Sequence, residues 1–100
     1  MSGALLAVIR ADLRLVILRL LAESGAPLNS SILRKAVAAV GNPATADQCR
    51  AELRWLADQG LIELETLSDN LMIAHLLERG EEVAAGRAIY EGVARPTRRH

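Results

Sequence analysis

Thr45 to Leu76 constrains this chain more than any other stretch, because two incompatible periodicities meet inside it at Gly60. Up to Gly60 the apolar residues Cys49, Leu53, Leu56 and Ala57 recur at helical spacing. Thr45-Ala46-Asp47-Gln48 fits a capping box, in which a hydroxyl and a Gln three residues on each satisfy the other's free amide. Asp47 in the first turn suits the positive end of the helix dipole. The spacing therefore predicts a helix from Thr45 to Gln59 with Asp47, Gln48, Arg50, Ala51, Arg54 and Asp58 on its outer side. Gly60 sits where a left-handed cap belongs. After it the pattern changes to alternation, the period of a strand. With Ser68-Asp69-Asn70 as a three-residue loop, Leu67 opposes Leu71. Ile62–Leu76, Leu64–Ala74 and Thr66–Met72 then share an apolar face, while Glu63–His75 and Glu65–Ile73 share a mixed one.

The flanking sequence reads as support for this unit. One hundred residues is the size of one domain; residues 1–90 are expected to form it, and 91–100 to be a flexible basic tail. With only Trp55, Tyr90 and no Phe, the core has to be aliphatic. A first helix is expected from Ala4 to Glu23, ended by Gly25-Ala26-Pro27. A second is expected from Ser30 to Val40, with Asn29 as N-cap, Ile32, Leu33, Ala36, Val37 and Val40 inward, and Arg34 and Lys35 outward. A fourth runs from Leu77 to Ala88, with Leu77 a poor cap, Val83, Ala84 and Ala88 inward, and Gly80 a cost to helix stability.

The first helix carries two apolar stripes: Leu6, Ile9, Leu13, Ile17 and Leu20, and Ala4, Val8, Ala11, Leu15, Leu18 and Ala22. One stripe suffices to dock a helix on a core. The second can be covered either within one wide internal face or by another copy. So small a domain has little surface to cover both, so the expectation is a homodimer through the first helix, with Val8, Ala11, Leu15 and Leu18 at the interface.

Charge is zero in sum but polarised along the chain. Residues 1–54 hold seven basic against four acidic groups, residues 55–94 two against eight, and the last six residues add Arg95, Arg98 and Arg99. The single cysteine, Cys49, excludes an intrachain disulfide. Arg10, Asp12 and Arg14 interrupt the early apolar run, so neither a spanning helix nor a signal peptide is expected, and the expected location is cytoplasmic.

The expected class is therefore mainly α with a small antiparallel β-hairpin. The run Ala51-Glu52-Leu53-Arg54-Trp55-Leu56-Ala57-Asp58-Gln59-Gly60-Leu61-Ile62 resembles the recognition helix and first wing strand of ArsR- and MarR-like winged helix-turn-helix regulators, as does Leu13 to Leu21 their first helix. The whole chain, with Leu76-Leu77-Glu78-Arg79-Gly80 and Arg95-Pro96, is more specifically similar to small winged-helix proteins of Mu-like prophages. The resemblance implies a DNA-binding regulator of phage or prophage type, with residues 45–59 as recognition helix and 61–76 as wing. Two features depart from the pattern. Ser68-Asp69-Asn70 puts no cation at the wing tip, and one Cys with two His is too few for a thiolate metal sensor.

In a DNA-binding reading Gln48 pairs with adenine and Arg50 or Arg54 with guanine, while Thr45, Arg34 and Lys35 hold phosphates. The plain alternative is that these are solvated polar residues on a helix surface. The competing function is a winged-helix module, a phage accessory factor that binds another protein and leaves DNA alone. Cys49 is expected as a small buried hydrophobe, His75 as a cross-strand partner of Glu63, and Trp55 at the edge of the core. The sequence has no phosphate loop, nucleophile elbow or metal-ligand spacing, so no enzyme, cofactor or metal is expected.

Overall fold

The computed structural model describes residues 3–96. Helix α1 spans Gly3–Ser24, strand β1 Leu28–Asn29, α2 Ser30–Ala39, α3 Ala46–Asp58, β2 Ile62–Ser68, β3 Leu71–Leu76 and α4 Glu78–Ala84. The fold is mainly helical, with one three-stranded antiparallel sheet in the order β1-β3-β2.

The helix ends are set by the expected residues. Asn29 accepts a hydrogen bond from the Ile32 amide at 2.8 Å and caps α2. At α3 the Thr45 hydroxyl accepts from the Gln48 amide at 3.0 Å, and the Gln48 side chain accepts from the Thr45 amide at 2.8 Å. The helix stops in a Schellman motif: Gly60 lies at φ +77°, its amide donates to Ala57, and the Leu61 amide donates to Leu56. That motif turns the chain into β2, so Leu53 and Leu56 of the helix, Leu61 after the turn and Ile62 of the strand enter the same aliphatic core.

Five hairpin pairs match the expected register, from Ile62↔Leu76 to Thr66↔Met72. The tip does not. Ser68, not Leu67, pairs with Leu71, leaving a two-residue turn and a bulge between Thr66 and Ser68. Asp69 and Asn70 both keep negative φ, so this is not one of the primed turns that match strand twist directly. The bulge adds twist locally and leaves Leu67 exposed. His75 is opposite Glu63 as expected, but its Nε2 lies 3.4 Å from Glu65 on the diagonal.

Strand β1 has only two residues, too short to show a period. Leu28 pairs with Ala74 and Asn29 with Ile73, so Asn29 serves both the sheet and the cap of α2. The Ser30 hydroxyl, buried, accepts from the Met72 amide at 3.2 Å and ties the start of α2 to β3.

Other expectations are corrected. Ile32 and Val40 of α2 face solvent; the core takes Leu33 and Val37. Helix α4 is shorter than expected, Glu78–Ala84. Gly80 is a fitting requirement, because a Cβ there would lie 2.1 Å from the Leu61 carbonyl oxygen. Residues 90–96, expected around the start of a loose tail, pack back. Val93 is buried, the Ala94 amide donates to Ala11 at 3.0 Å, and the Tyr90 hydroxyl donates to Gln59. The remainder of that expected tail, Thr97–His100, lies outside the described residues.

The two stripes of α1 meet different fates along the helix rather than around it. From Leu13 onward Leu13 and Ile17 of one stripe and Leu15 and Leu18 of the other are buried in the monomer. From Gly3 to Arg10 every residue is exposed. Leu15 and Leu18 are therefore core residues, not interface residues: the remaining elements wrap both sides of this half of the helix.

Candidate nucleic-acid interface

The outer side of α3 carries Asp47, Gln48, Ala51, Arg54 and Asp58 exposed, with Arg50 half-buried beside them. Helix α2 adds Lys35, exposed, and Arg34, half-buried. A cleft of about 220 Å³ brings Arg34 and Arg50 together with Ser30, Ser31, Ala46 and Asn70. It lies where the first turns of α2 and α3 approach the hairpin tip.

The six residues expected to touch DNA are not equally available. Thr45 and Gln48 hold each other in the capping box. A bidentate contact to adenine needs both the oxygen and the nitrogen of a Gln amide, and the Gln48 oxygen is already engaged. Arg50 is ion-paired with Asp47, and its Nη1 reaches the Asn70 carbonyl at 3.5 Å, so it bridges α3 and the hairpin tip. Arg54 of α3 and Lys35 of α2 are exposed, and Arg34 is half-buried in the cleft.

The acidic residues of α3 are also partly neutralised. Asp47 is held by Arg50. Glu52, which the spacing of the sequence leaves without a role, is buried and faces inward. Its Oε1 accepts from Arg14 Nε at 2.6 Å, and Arg10 Nε lies 3.9 Å from its Oε2. Arg14 also donates to the Gly92 carbonyl at 2.9 Å and stacks its guanidinium 3.8 Å from the centroid of the Trp55 ring. Trp55 meets Tyr90 edge to face, with ring centroids 6.1 Å apart. This cluster positions the back of α3. The only sign of it in sequence is that Arg14 falls between the two stripes of α1.

Cys49 is buried beneath this face, and burial pushes its thiol pKa up, partly opposed by Arg34 and Arg50. Among the described residues no three His, Cys, Asp or Glu side chains form a metal-holding group, and no helix is long and apolar enough to cross a membrane.

Two relatives align with most of this chain. The uncharacterized protein gp26 of Escherichia phage Mu is 41% identical over 85 residues, covering 85% of this chain and 88% of the relative. An uncharacterized protein of Haemophilus influenzae is 40% identical over 68 residues, covering 68% of this chain and 67% of that protein. No family model and no solved structure matches the chain.

Proposed function

This chain belongs to the family of the phage Mu protein gp26, and on that premise we propose that it is a winged helix-turn-helix protein of phage type that binds duplex DNA. It acts as a transcriptional regulator in the host cytoplasm, with α3 as recognition helix and the β2–β3 hairpin as wing. The winged-helix reading is supported by the element order, helix, short strand, two helices, hairpin, and by β1 pairing with β3. The observation that carries the DNA reading is the outer side of α3. Arg54 stands exposed there and Lys35 on α2, while of the acidic residues of α3 Asp47 and Glu52 are each held by an arginine and Asp58 stays exposed. A helix in this position enters the major groove, with cations alongside it on the backbone.

The competing reading is a winged-helix module for protein partners. The hairpin tip favours it, since Asp69 and Asn70 offer no cation to a backbone phosphate. Fluorescence anisotropy with a labelled mixed-sequence duplex at low salt separates the two. In the DNA reading binding weakens with salt, and Lys35→Ala with Arg54→Ala flattens the log–log slope by about 1 per lost phosphate contact. Absence of binding at about 50 mM salt, where phosphate-driven affinity is strong, selects the protein-partner reading.

A further inference from the structure

We propose that the cleft between the first turns of α2 and α3 and the hairpin tip binds a phosphate-class oxyanion, with Asp47 as a built-in competitor for Arg50. The cleft has a volume of about 220 Å³ and is lined by Ser30, Ser31, Arg34, Ala46, Arg50 and Asn70, two cations and no acid. The Arg34 side chain makes no hydrogen bond or ion pair with any described residue. Arg50 is largely withdrawn from solvent, its side chain 17% exposed, and its one counter-charge is the Asp47 side chain, 91% exposed. Two guanidiniums in one cleft thus have a single, outlying carboxylate between them. Both also lie near enough to the Cys49 thiol to favour its ionised form.

Ser30 shows that the cleft wants a hydrogen-bond acceptor as well as a negative charge. It is only 5% exposed and lines the same cleft. Its hydroxyl oxygen accepts from the Met72 amide, but its own proton meets no acceptor among the described residues. A hydroxyl carries a donor besides its lone pairs, and a buried donor left unpaired is costly. An oxyanion supplies that acceptor with one oxygen, while its others meet the guanidinium forks, which match phosphate geometry. Ser31 and Ala46 bring the positive ends of two helices to the same place. The Asp47 carboxylate already stands at Arg50 as an internal anion. A pair with so exposed a partner is weakly held, so an anion that reaches Arg34 and Ser30 as well displaces it. A phosphodiester of duplex DNA and a free phosphate present the same oxygens, so the cleft does not depend on the DNA reading.

Titration of the isotope-labelled full chain with inorganic phosphate, followed at the backbone amides by NMR, tests it. Constant ionic strength keeps general screening fixed, and phosphate up to about 50 mM covers millimolar affinities. The Ser31 and Ala46 amides are expected to shift and saturate. Arg34→Gln and Arg50→Gln each bind about tenfold more weakly, the loss of one charged hydrogen bond, while keeping the wild-type far-UV circular dichroism. Asp47→Asn binds about threefold more tightly, because the competitor is gone. Asp58→Asn, which removes another exposed acid of α3, binds as the wild type does. Shifts that do not saturate overturn the proposal. So do arginine variants with wild-type affinity, or equal effects of Asp47→Asn and Asp58→Asn. A mixed-sequence duplex then identifies the source. A duplex that competes with phosphate at these amides makes the DNA backbone the donor of the oxyanion. A duplex that leaves them unmoved while phosphate binds makes it a free phosphate, and counts against the DNA reading alone.

Discussion

Arg14 donates to Glu52 across 2.6 Å, joining α1 to α3 over 38 residues of sequence. Both side chains are nearly withdrawn from solvent, and Arg14 lies between the Glu52 carboxylate, the Trp55 ring and the Gly92 carbonyl. Glu52→Ala leaves a guanidinium in that place without its counter-charge, so an expected loss of about 3 kcal/mol follows. The double variant Arg14→Leu, Glu52→Leu is expected to cost less than the two single leucine variants added together, because neither charge is then stranded. Urea denaturation of all three leucine variants checks the coupling; additive losses would show that the pair is not an energetic unit.

Gly80 gives a test in which two principles have opposite signs. Helix propensity alone makes Gly80→Ala stabilising by about 1 kcal/mol. The added Cβ, however, meets the Leu61 carbonyl oxygen at 2.1 Å, and a backbone atom cannot swing aside as a side chain does. The expected result is destabilisation by about 1–3 kcal/mol, read as a drop in Tm of roughly 4–8 °C per kcal/mol for a domain of this size. A raised Tm would refute the packing described around Leu61.

Leu18 separates core from interface. It is fully buried within one protomer, so Leu18→Ala is expected to lower unfolding stability by about 2–5 kcal/mol. The loss should be equally large at protein concentrations where the chain is monomeric. If instead Leu18→Ala shifted only the association state, the internal packing of α1 would be wrong.

Cys49 provides a pH-dependent test. Burial raises its thiol pKa above the ordinary 9.0. Below about pH 9 the thiol is protonated in both folded and unfolded states, so its full contribution is present there. Above that, the unfolded thiol ionises first and the contribution falls until the folded pKa is passed. The stability difference between wild type and Cys49→Ala is therefore expected to be constant from pH 7 to 8 and to move against the wild type at about pH 10. Denaturation curves at these pH values measure it. A difference independent of pH would mean that the thiol is not shielded.

Local rules read from the sequence account for what is local in this fold. Thr45 with Gln48, Asn29, Gly25 and Gly60 set helix ends because each acts on amides or carbonyls a few residues away. Alternation from Ile62 to Leu76 set the hairpin register, because a slip of one residue would turn its apolar face to water. The aliphatic core and the inward stripe of α3 followed from composition and period in the same way.

Tertiary structure alone decided matters that depend on what approaches from far along the chain. Periodicity placed Leu15 and Leu18 with Val8 on one stripe, but other elements cover the helix only from Leu13 onward. Glu52 falls by spacing on the inward side of α3, and a carboxylate can stay buried there because Arg14 arrives from α1 to pair with it. Gly80 reads as a flaw until Leu61 is laid against it. Arg50 reads as a free group until the Asn70 carbonyl, 20 residues away, engages it, leaving Arg54 and Lys35 to face outward. Each outcome is a contact between residues with no short-range signature, and only the folded chain brings the partners within reach.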